Sequence, residues 1–414
     1  MDAVLLAPLL IAVLLAVLAS GFWIGLSLVL VAWVAVTFFA SAPAGKVLAT
    51  SMWGMLDSWP LTALPLFVWM GEILYRTRLA ADMFDGLAPW LARLPGRLMH
   101  VNVVGCGVFA AVCGSSAATA ATIGQMTLPE LARRGYDRDL SMGSLAASGS
   151  LGILIPPSIP MIVYGVAAQV SIVGLFIAGV IPGLLMMALF MSYIAVWSML
   201  NPGRVPQERI DMSLGEAVRH TAKLIPVILL IIAVIGSIYS GLATPTEAAA
   251  IGVVGALGVS WASKSLTRKS FAESLIGATR TSCMICLLLA ASAYLSLAMG
   301  FTGLPRQLGE WIGTLGLSQY ALIAVLTVFY LILGCFLDGL SMIILTVVVV
   351  LPAVQKAGID LLWFGIYIVI VIEMAQVTPP VGFNLFVVQG ITGDNILRVA
   401  RASLPFFYLM IVAV

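Results

Sequence analysis

The sequence predicts an all-α polytopic membrane protein, and three observations carry that prediction. Hydrophobic residues are 62% of the chain and charged residues 9%, whereas a soluble domain has about 45–50% and about 25%. The apolar residues come in long runs, such as Leu5 to Ala19 and Ile225 to Ile235, rather than in short alternating segments. The basic residues gather between those runs. In a bilayer the backbone satisfies itself only in helices or a closed barrel, and a barrel would alternate, so helices are the solution.

Membrane helices are expected at about 4–20, 22–40, 59–75, 141–168, 174–198, 224–241, 246–262, 282–299, 363–388 and 398–414, each near the ~20 residues a bilayer requires. The first follows Asp2 rather than a basic segment and lacks a clear cleavage site, so it reads as a membrane helix and not as a signal peptide. Two further apolar stretches, about 101–128 and 319–351, carry a polar break in the middle. Read as hairpins that enter the membrane and return, they divide the charge sharply. Of the 20 Lys and Arg residues, all but Lys46, Arg306 and Lys356 then fall on one side. The positive-inside rule makes that side cytoplasmic. Both ends of the sequence lie on the other side, with 101–128 dipping from the cytoplasm and 319–351 from the far face.

The chain also repeats. Leu128, Pro129, Gly135 and Asp137 recur as Leu351, Pro352, Gly358 and Asp360, and the same spacing takes Pro156-Pro157 to Pro379-Pro380. Ser20-Gly21 recurs as Ser240-Gly241 at nearly that spacing. Each repeat reads as three helices, an amphipathic connector, a hairpin, a broken helix and a closing helix. The units are 1–75 (helices), 76–100 (connector), 101–170 (hairpin and broken helix), 171–299 (helices with a cytoplasmic connector at 201–223), 300–318 (connector), 319–390 (hairpin and broken helix) and 391–414 (closing helix). The connector helices proper are expected at about 79–95 and 304–317, the first inside and the second outside, so the repeats are inverted. Inverted repeats with broken helices are the mark of secondary transporters.

The breaks are where chemistry is expected. The first hairpin turns at Cys113-Gly114-Ser115-Ser116-Ala117-Ala118-Thr119, and the second at Leu337-Asp338-Gly339-Leu340-Ser341. The broken helices are interrupted at Gly152-Ile153-Leu154-Ile155-Pro156-Pro157-Ser158 and at Gln376-Val377-Thr378-Pro379-Pro380-Val381-Gly382-Phe383-Asn384. Tandem proline cannot continue a helix and frees carbonyls of the preceding turn, and such backbone survives at membrane depth only where it is buried or lines a cavity. Freed carbonyls and hydroxyls suit a hard cation such as Na⁺, while half-helix N-termini suit an anion. A kink that merely packs is the alternative, but two kinks at repeat-related positions beside Gly/Ser and Asp/Gly/Ser tips favour function. Asp338 either caps the helix after it or supports a cation, and the roles are compatible. Glu247, behind Thr244-Pro245-Thr246, reads as a capping acid. Glu373 is open between a pathway and a scaffold role, and Glu72 is a further intramembrane acid.

Other classes find little support. A net charge of +2 gives no case for nucleic acid. Cys283 and Cys286 form a C-x-x-C with no second pair or nearby histidine, so packing is the simpler reading. His100 and His220 fall in cytoplasmic segments and read as solvated or interfacial. No nucleotide, hydrolase or zinc-protease motif is present, so an enzyme reading lacks its acid, base or metal set. A channel would want symmetry between subunits rather than an inverted internal repeat.

The run Phe109 to Gly124 with Leu128-Pro129-Glu130-Leu131, the Gly152–Ser158 break, Thr244-Pro245-Thr246-Glu247-Ala248-Ala249-Ala250 and Thr378-Pro379-Pro380-Val381-Gly382-Phe383-Asn384 together resemble the large, DctM-like membrane subunit of tripartite ATP-independent periplasmic (TRAP) transporters. The resemblance runs in order along essentially the whole chain. Cys113 departs from it, standing where the family more often has a small or hydroxyl residue. The resemblance implies an elevator, in which the hairpins and broken helices form a transport domain sliding against a scaffold made of the other helices. It implies Na⁺-driven uptake of a carboxylate such as a C4-dicarboxylate or a sialic acid across a bacterial inner membrane. It implies a small four-helix membrane subunit and a periplasmic substrate-binding protein as partners. Carried over, one Na⁺ site joins Gly114, Ser115 and Ser116 to Gly152 and Pro156, and another joins Asp338, Gly339 and Ser341 to Thr378 and Pro379. The substrate then lies between the tips, with Ser115, Ser116, Gly339, Thr378 and Asn384 as its expected contacts.

Overall fold

The structure is a computed structural model that describes residues 12–13, 16–17, 20–39, 42–77, 79–206, 214–303, 318–334, 337–379 and 382–414. The expected first helix at 4–20 lies largely outside these residues. The second connector helix, Cys335, Pro380 and Val381 lie wholly outside them. Among the described residues there are helices and no strand.

The first repeat opens with α1 (Ile24–Phe39), α2 (Ala44–Leu56) and α3 (Ala63–Tyr75). The connector α4 (Leu79–Leu91) follows. Next come α5 (His100–Cys113) and α6 (Ser116–Arg133), then α7 (Arg138–Gly149), a single turn α8 (Leu151–Leu154), and α9 (Ile159–Ala168). The long α10 (Ile172–Leu200) leads through the short α11 (Leu214–Thr221) to α12 (Ile225–Tyr239), α13 (Pro245–Ala262) and α14 (Arg268–Thr302). The remaining helices are α15 (Gln319–Gly334), α16 (Gly339–Lys356), α17 (Leu361–Gln376), α18 (Phe383–Thr392) and α19 (Ile396–Ala413).

Five segments, α10, 218–239, α14, α16 and α19, are long and apolar enough to cross a membrane, and the bent pair 138–154 and 159–168 makes a sixth. This is a multi-pass membrane protein. Apolar side chains cover α10 all round: Phe176, Met186 and Phe190 are buried, while Ile177, Ile181 and Leu184 face outward. A helix of that kind belongs in lipid rather than in water.

Packing sorts the helices into two groups. α14 lies against α1, α2 and α3, and α13 lies against α3 and α12. α6 and α7 pack on each other and on α18, α7 packs on α19, and α17 packs on α15 and α16. The groups meet where α5 touches α3 and where the Ser292 hydroxyl of α14 donates to the Ile344 carbonyl of α16 at 2.9 Å. At the end assigned to the cytoplasm, Arg138 pairs with Asp394 at 2.7 Å and Arg398 with Asp139 at 2.6 Å, tying α7 to α19.

Several elements differ from the sequence reading. α14 begins at Arg268, not near 282, because Thr267 and Ser270 form a reciprocal cap. Its first turns carry Arg268, Lys269, Glu273 and Arg280, which depress hydropathy without disfavouring helix. The 35 residues span about 52 Å. α2 was not expected, since Lys46, Thr50 and Ser51 break its apolar pattern; Thr50 and Ser51 return their hydroxyls to its own backbone. His100 is not solvated: it is 1% exposed, with Nε2 2.6 Å from the Pro95 carbonyl. Thr244 and Glu247 do form the expected capping box.

Candidate functional site

The first hairpin closes in two residues. Gly114 ends α5 in the left-handed region, φ +65°, where a side chain is strained. Ser115 is extended, and its hydroxyl accepts from the Ala118 amide to start α6. α5 and α6 then pack against each other, so the stretch returns on itself as expected.

The first break lies against this tip. Ile155 leaves the helix, the Pro156-Pro157 peptide is cis, and Ser158 caps α9 with Pro160 in its first turn. The Ser158 hydroxyl donates to the Ile153 carbonyl, one of those the break frees. The Ile159 amide donates to the Gly114 carbonyl at 3.4 Å. Gly152 backs onto the tip so closely that a Cβ would stand 2.6 Å from the Ser115 carbonyl oxygen and 2.7 Å from the Thr119 hydroxyl. Thr119 is fully buried, and among the described residues its hydroxyl has no partner but the weak Cys113 thiol. Gly114, Ser115, Gly152 and the Pro156 break are thus brought together. Thr119, which closes the break motif but was not among the expected ligands, joins them as a further oxygen.

At the second hairpin Asp338 caps α16. It accepts from the amides of Leu340 at 3.2 Å and Ser341 at 3.4 Å, and from the Ser341 hydroxyl. Gly339 fits against α17, where a Cβ would meet Ile372 at 2.5 Å and Gln376 at 3.1 Å. Beyond α17 the Thr378 hydroxyl donates back to the Ala375 carbonyl at 2.9 Å, and the Thr378 carbonyl accepts from Gly382 at 3.0 Å. Pro379 is exposed. Asn384, fully buried at the start of α18, accepts from the Ser116 hydroxyl at 3.0 Å and donates to the Ala146 carbonyl at 3.1 Å. The second break therefore reaches the tip of the first hairpin.

A cavity of about 1250 Å³ opens between the two tips. Gly114–Ala118 and Asp338–Ser341 form part of its wall, with Ile153, Pro160, Gln376 and Phe383 from the breaks. The N-terminal ends of α6 and α16 both meet it, which favours an anion there. The rest of the wall comes from 22–25, from Gly71, Glu72 and Tyr75, and from α14 between Arg280 and Leu288. Of the expected site residues, Ser115, Ser116 and Gly339 line the cavity, as do Gly114, Asp338 and Ser341. Gly152, Pro156, Thr378, Pro379 and Asn384 do not line it. Among the described residues no His, Cys, Asp or Glu group is arranged to hold a transition metal.

The family model for the DctM component of tripartite ATP-independent periplasmic transporters matches residues 11–414. The C4-dicarboxylate TRAP transporter large permease DctM of Rhodobacter capsulatus is 32% identical, over 96% of this chain and 93% of its own. The sialic acid TRAP transporter large permease SiaM of Vibrio cholerae is 31% identical, over 97% and 94%. The isethionate TRAP transporter permease DctMQ of Oleidesulfovibrio alaskensis is 34% identical over 86% of this chain, which spans 56% of that protein's length. The crystal structure of the Alcanivorax borkumensis YdaH transporter superposes with a TM-score of 0.64 over 90% of this chain and 87% of its own, at 13% identity, and so shares the fold. These relatives are transporter permeases, not enzymes, and the chain belongs to the DctM family of TRAP transporter large membrane subunits.

Proposed function

We propose that this chain is the permease of a Na⁺-driven uptake system for a small organic acid in a bacterial inner membrane, working as an elevator. The observation that carries the reading is that both hairpin tips and both helix breaks converge on one cavity, whose two half-helix N-termini favour an anion. The relatives are named for a C4-dicarboxylate, sialic acid and isethionate, which supports a small organic acid of that kind here. All are acids whose oxyanion an N-terminal helix end can hold. A periplasmic binding protein delivers the acid, and a small four-helix membrane subunit packs on the scaffold of α1–α3 and α12–α14.

Two Na⁺ sites fit the breaks. In the first, the Ser115 carbonyl, the Thr119 hydroxyl and the backbone around Gly152 supply hard oxygen ligands, and the Thr119 hydroxyl is buried with only the weak Cys113 thiol beside it. The second joins Asp338, Gly339 and Ser341 to Thr378 and Pro379; what supports it is that Gly339 packs on Ile372 and Gln376, at the end of the helix that precedes Thr378. Asp338 already caps α16, and its carboxylate can still accept a cation on free lone pairs. Ser116 and Asn384 act as a strut between hairpin and break. Na⁺ then rigidifies the tips that hold the acid, which couples the two.

The fixed wall of the cavity comes from the cytoplasmic ends of α1 and α3 and the cytoplasmic half of α14, as the charge count assigns them. That supports an inward-facing arrangement. The test is uptake of candidate acids into proteoliposomes holding both membrane subunits, with the binding protein outside. Uptake should require inwardly directed Na⁺ and the binding protein, and should vanish when K⁺ replaces Na⁺. Undiminished uptake in K⁺ would contradict the coupling.

A further inference from the structure

We propose that Arg280 forms an anion site on the scaffold, at the cytoplasmic end of the cavity, that receives the oxyanion of the transported acid as it leaves the hairpin tips. This rests on the transport reading above and adds a residue on the wall that does not move.

Among the described residues lining the cavity, Arg280 is the one base; the other charged groups are Glu72 and Asp338. No acid among the described residues lies within ion-pair distance of it. Glu72, packed over Gly277 one turn earlier on α14, is engaged by Arg76 at 3.0 Å. Arg280 shares a helix face with Thr281, Met284, Leu287 and Leu288, which also line the cavity. A guanidinium cannot shed its proton. An unpaired charge on a membrane helix is costly and is kept where it faces a watery pathway. Its planar fork matches carboxylate and sulfonate oxygens. From Thr281 to Thr302 the same helix carries no charged residue, so α14 itself offers this attraction only at its cytoplasmic end.

Cys283, exposed on the same wall one turn away, reports the local field. In the full permease with every other cysteine changed to alanine, Cys283 is reacted with anionic 2-sulfonatoethyl and with cationic 2-trimethylammonioethyl methanethiosulfonate. Arg280→Gln should lower the anionic-to-cationic rate ratio about tenfold, since one charge at a turn's distance acts oppositely on the two probes, and Arg280→Lys should preserve most of it. An unchanged ratio in Arg280→Gln would overturn the proposal. In proteoliposomes of the complex, Arg280→Gln should raise half-saturation for acid presented on the cytoplasmic face about tenfold and leave that for receptor-delivered uptake within twofold. An equal rise on both faces would place Arg280 in the moving site and also overturn it. If the wild-type complex moves no acid, the transport reading fails while the thiol ratio still decides whether Arg280 is an anion site.

Discussion

The hydroxyl of Ser116 donates a 3.0 Å hydrogen bond to the side-chain oxygen of Asn384, joining the first hairpin to the second helix break across 268 positions of sequence. Asn384 passes the connection on by donating to the Ala146 carbonyl. Ser116 is 3% exposed and Asn384 fully buried, so a lost partner strands a polar group away from water. Asn384→Ala and Ser116→Ala should each destabilise the protein by about 1–3 kcal/mol. The double variant should cost less than the sum of the two by about 0.5–3 kcal/mol. Thermal unfolding in detergent measures this, and strictly additive losses would show that the two side chains do not cooperate.

Thr119 separates a cation ligand from a packing residue. Its hydroxyl is buried and poorly partnered, so Thr119→Val, which keeps the shape, should leave stability without Na⁺ unchanged or improved. Loss of one neutral oxygen should weaken the first Na⁺ site by about 1–2 kcal/mol, which is roughly a tenfold rise in half-saturating Na⁺. Uptake by the variant should recover at high Na⁺. A lower maximal rate at unchanged half-saturating Na⁺ would assign Thr119 to packing.

Gly152 tests how closely the break and the tip must fit. Alanine there would bring a Cβ within 2.6 Å of the Ser115 carbonyl oxygen, a backbone atom that cannot swing aside. Gly152→Ala should therefore abolish Na⁺-dependent uptake or folding. Gly390→Ala on α18 meets nothing within 4 Å and should be neutral or slightly stabilising. Yield, thermal midpoint and uptake compare the two, and a fully active Gly152→Ala would place the break away from the tip.

Much of this architecture was legible in the sequence because bilayer constraints are severe. Apolar runs longer than a span, paired prolines at one repeat spacing and the one-sided distribution of Lys and Arg each have few physical explanations. The hairpin turn at Gly114-Ser115 and the caps at Thr244 and Asp338 followed from local chemistry that acts within four residues. The α2 helix and the early start of α14 did not follow, since polar and charged residues on largely exposed helical turns look like loop to a hydropathy reading. The bond from Ser116 to Asn384 and the exposure of Thr119 to Gly152 were also out of reach. They are contacts between distant segments, and one sequence fixes residue types there but not which of them meet. Arg280 was counted as a loop charge, and only the length of α14 carried it into the cavity.

Orientation follows from the two-hairpin reading. In a background without reactive cysteines, Arg134→Cys should react with membrane-impermeant maleimide only from the cytoplasm, and Lys356→Cys only from the periplasm. Both positions lie at or near exposed helix ends. Reaction of position 356 from inside would mean that one of the two stretches crosses fully, and the charge asymmetry would need another cause.

A reversible tether across the cavity tests most directly whether the hairpin tips move against a fixed wall, as proposed. Cys283 on α14 and Leu340 at the start of α16 line the same cavity. With Leu340→Cys introduced and the other cysteines replaced by alanine, a short bifunctional methanethiosulfonate should join the two in the detergent-solubilised complex. After reconstitution the tethered complex should take up no acid under a Na⁺ gradient, and dithiothreitol should restore uptake to the level of the untethered control. Undiminished uptake by fully cross-linked protein would contradict the account, because the tips would then be carrying substrate without leaving the wall.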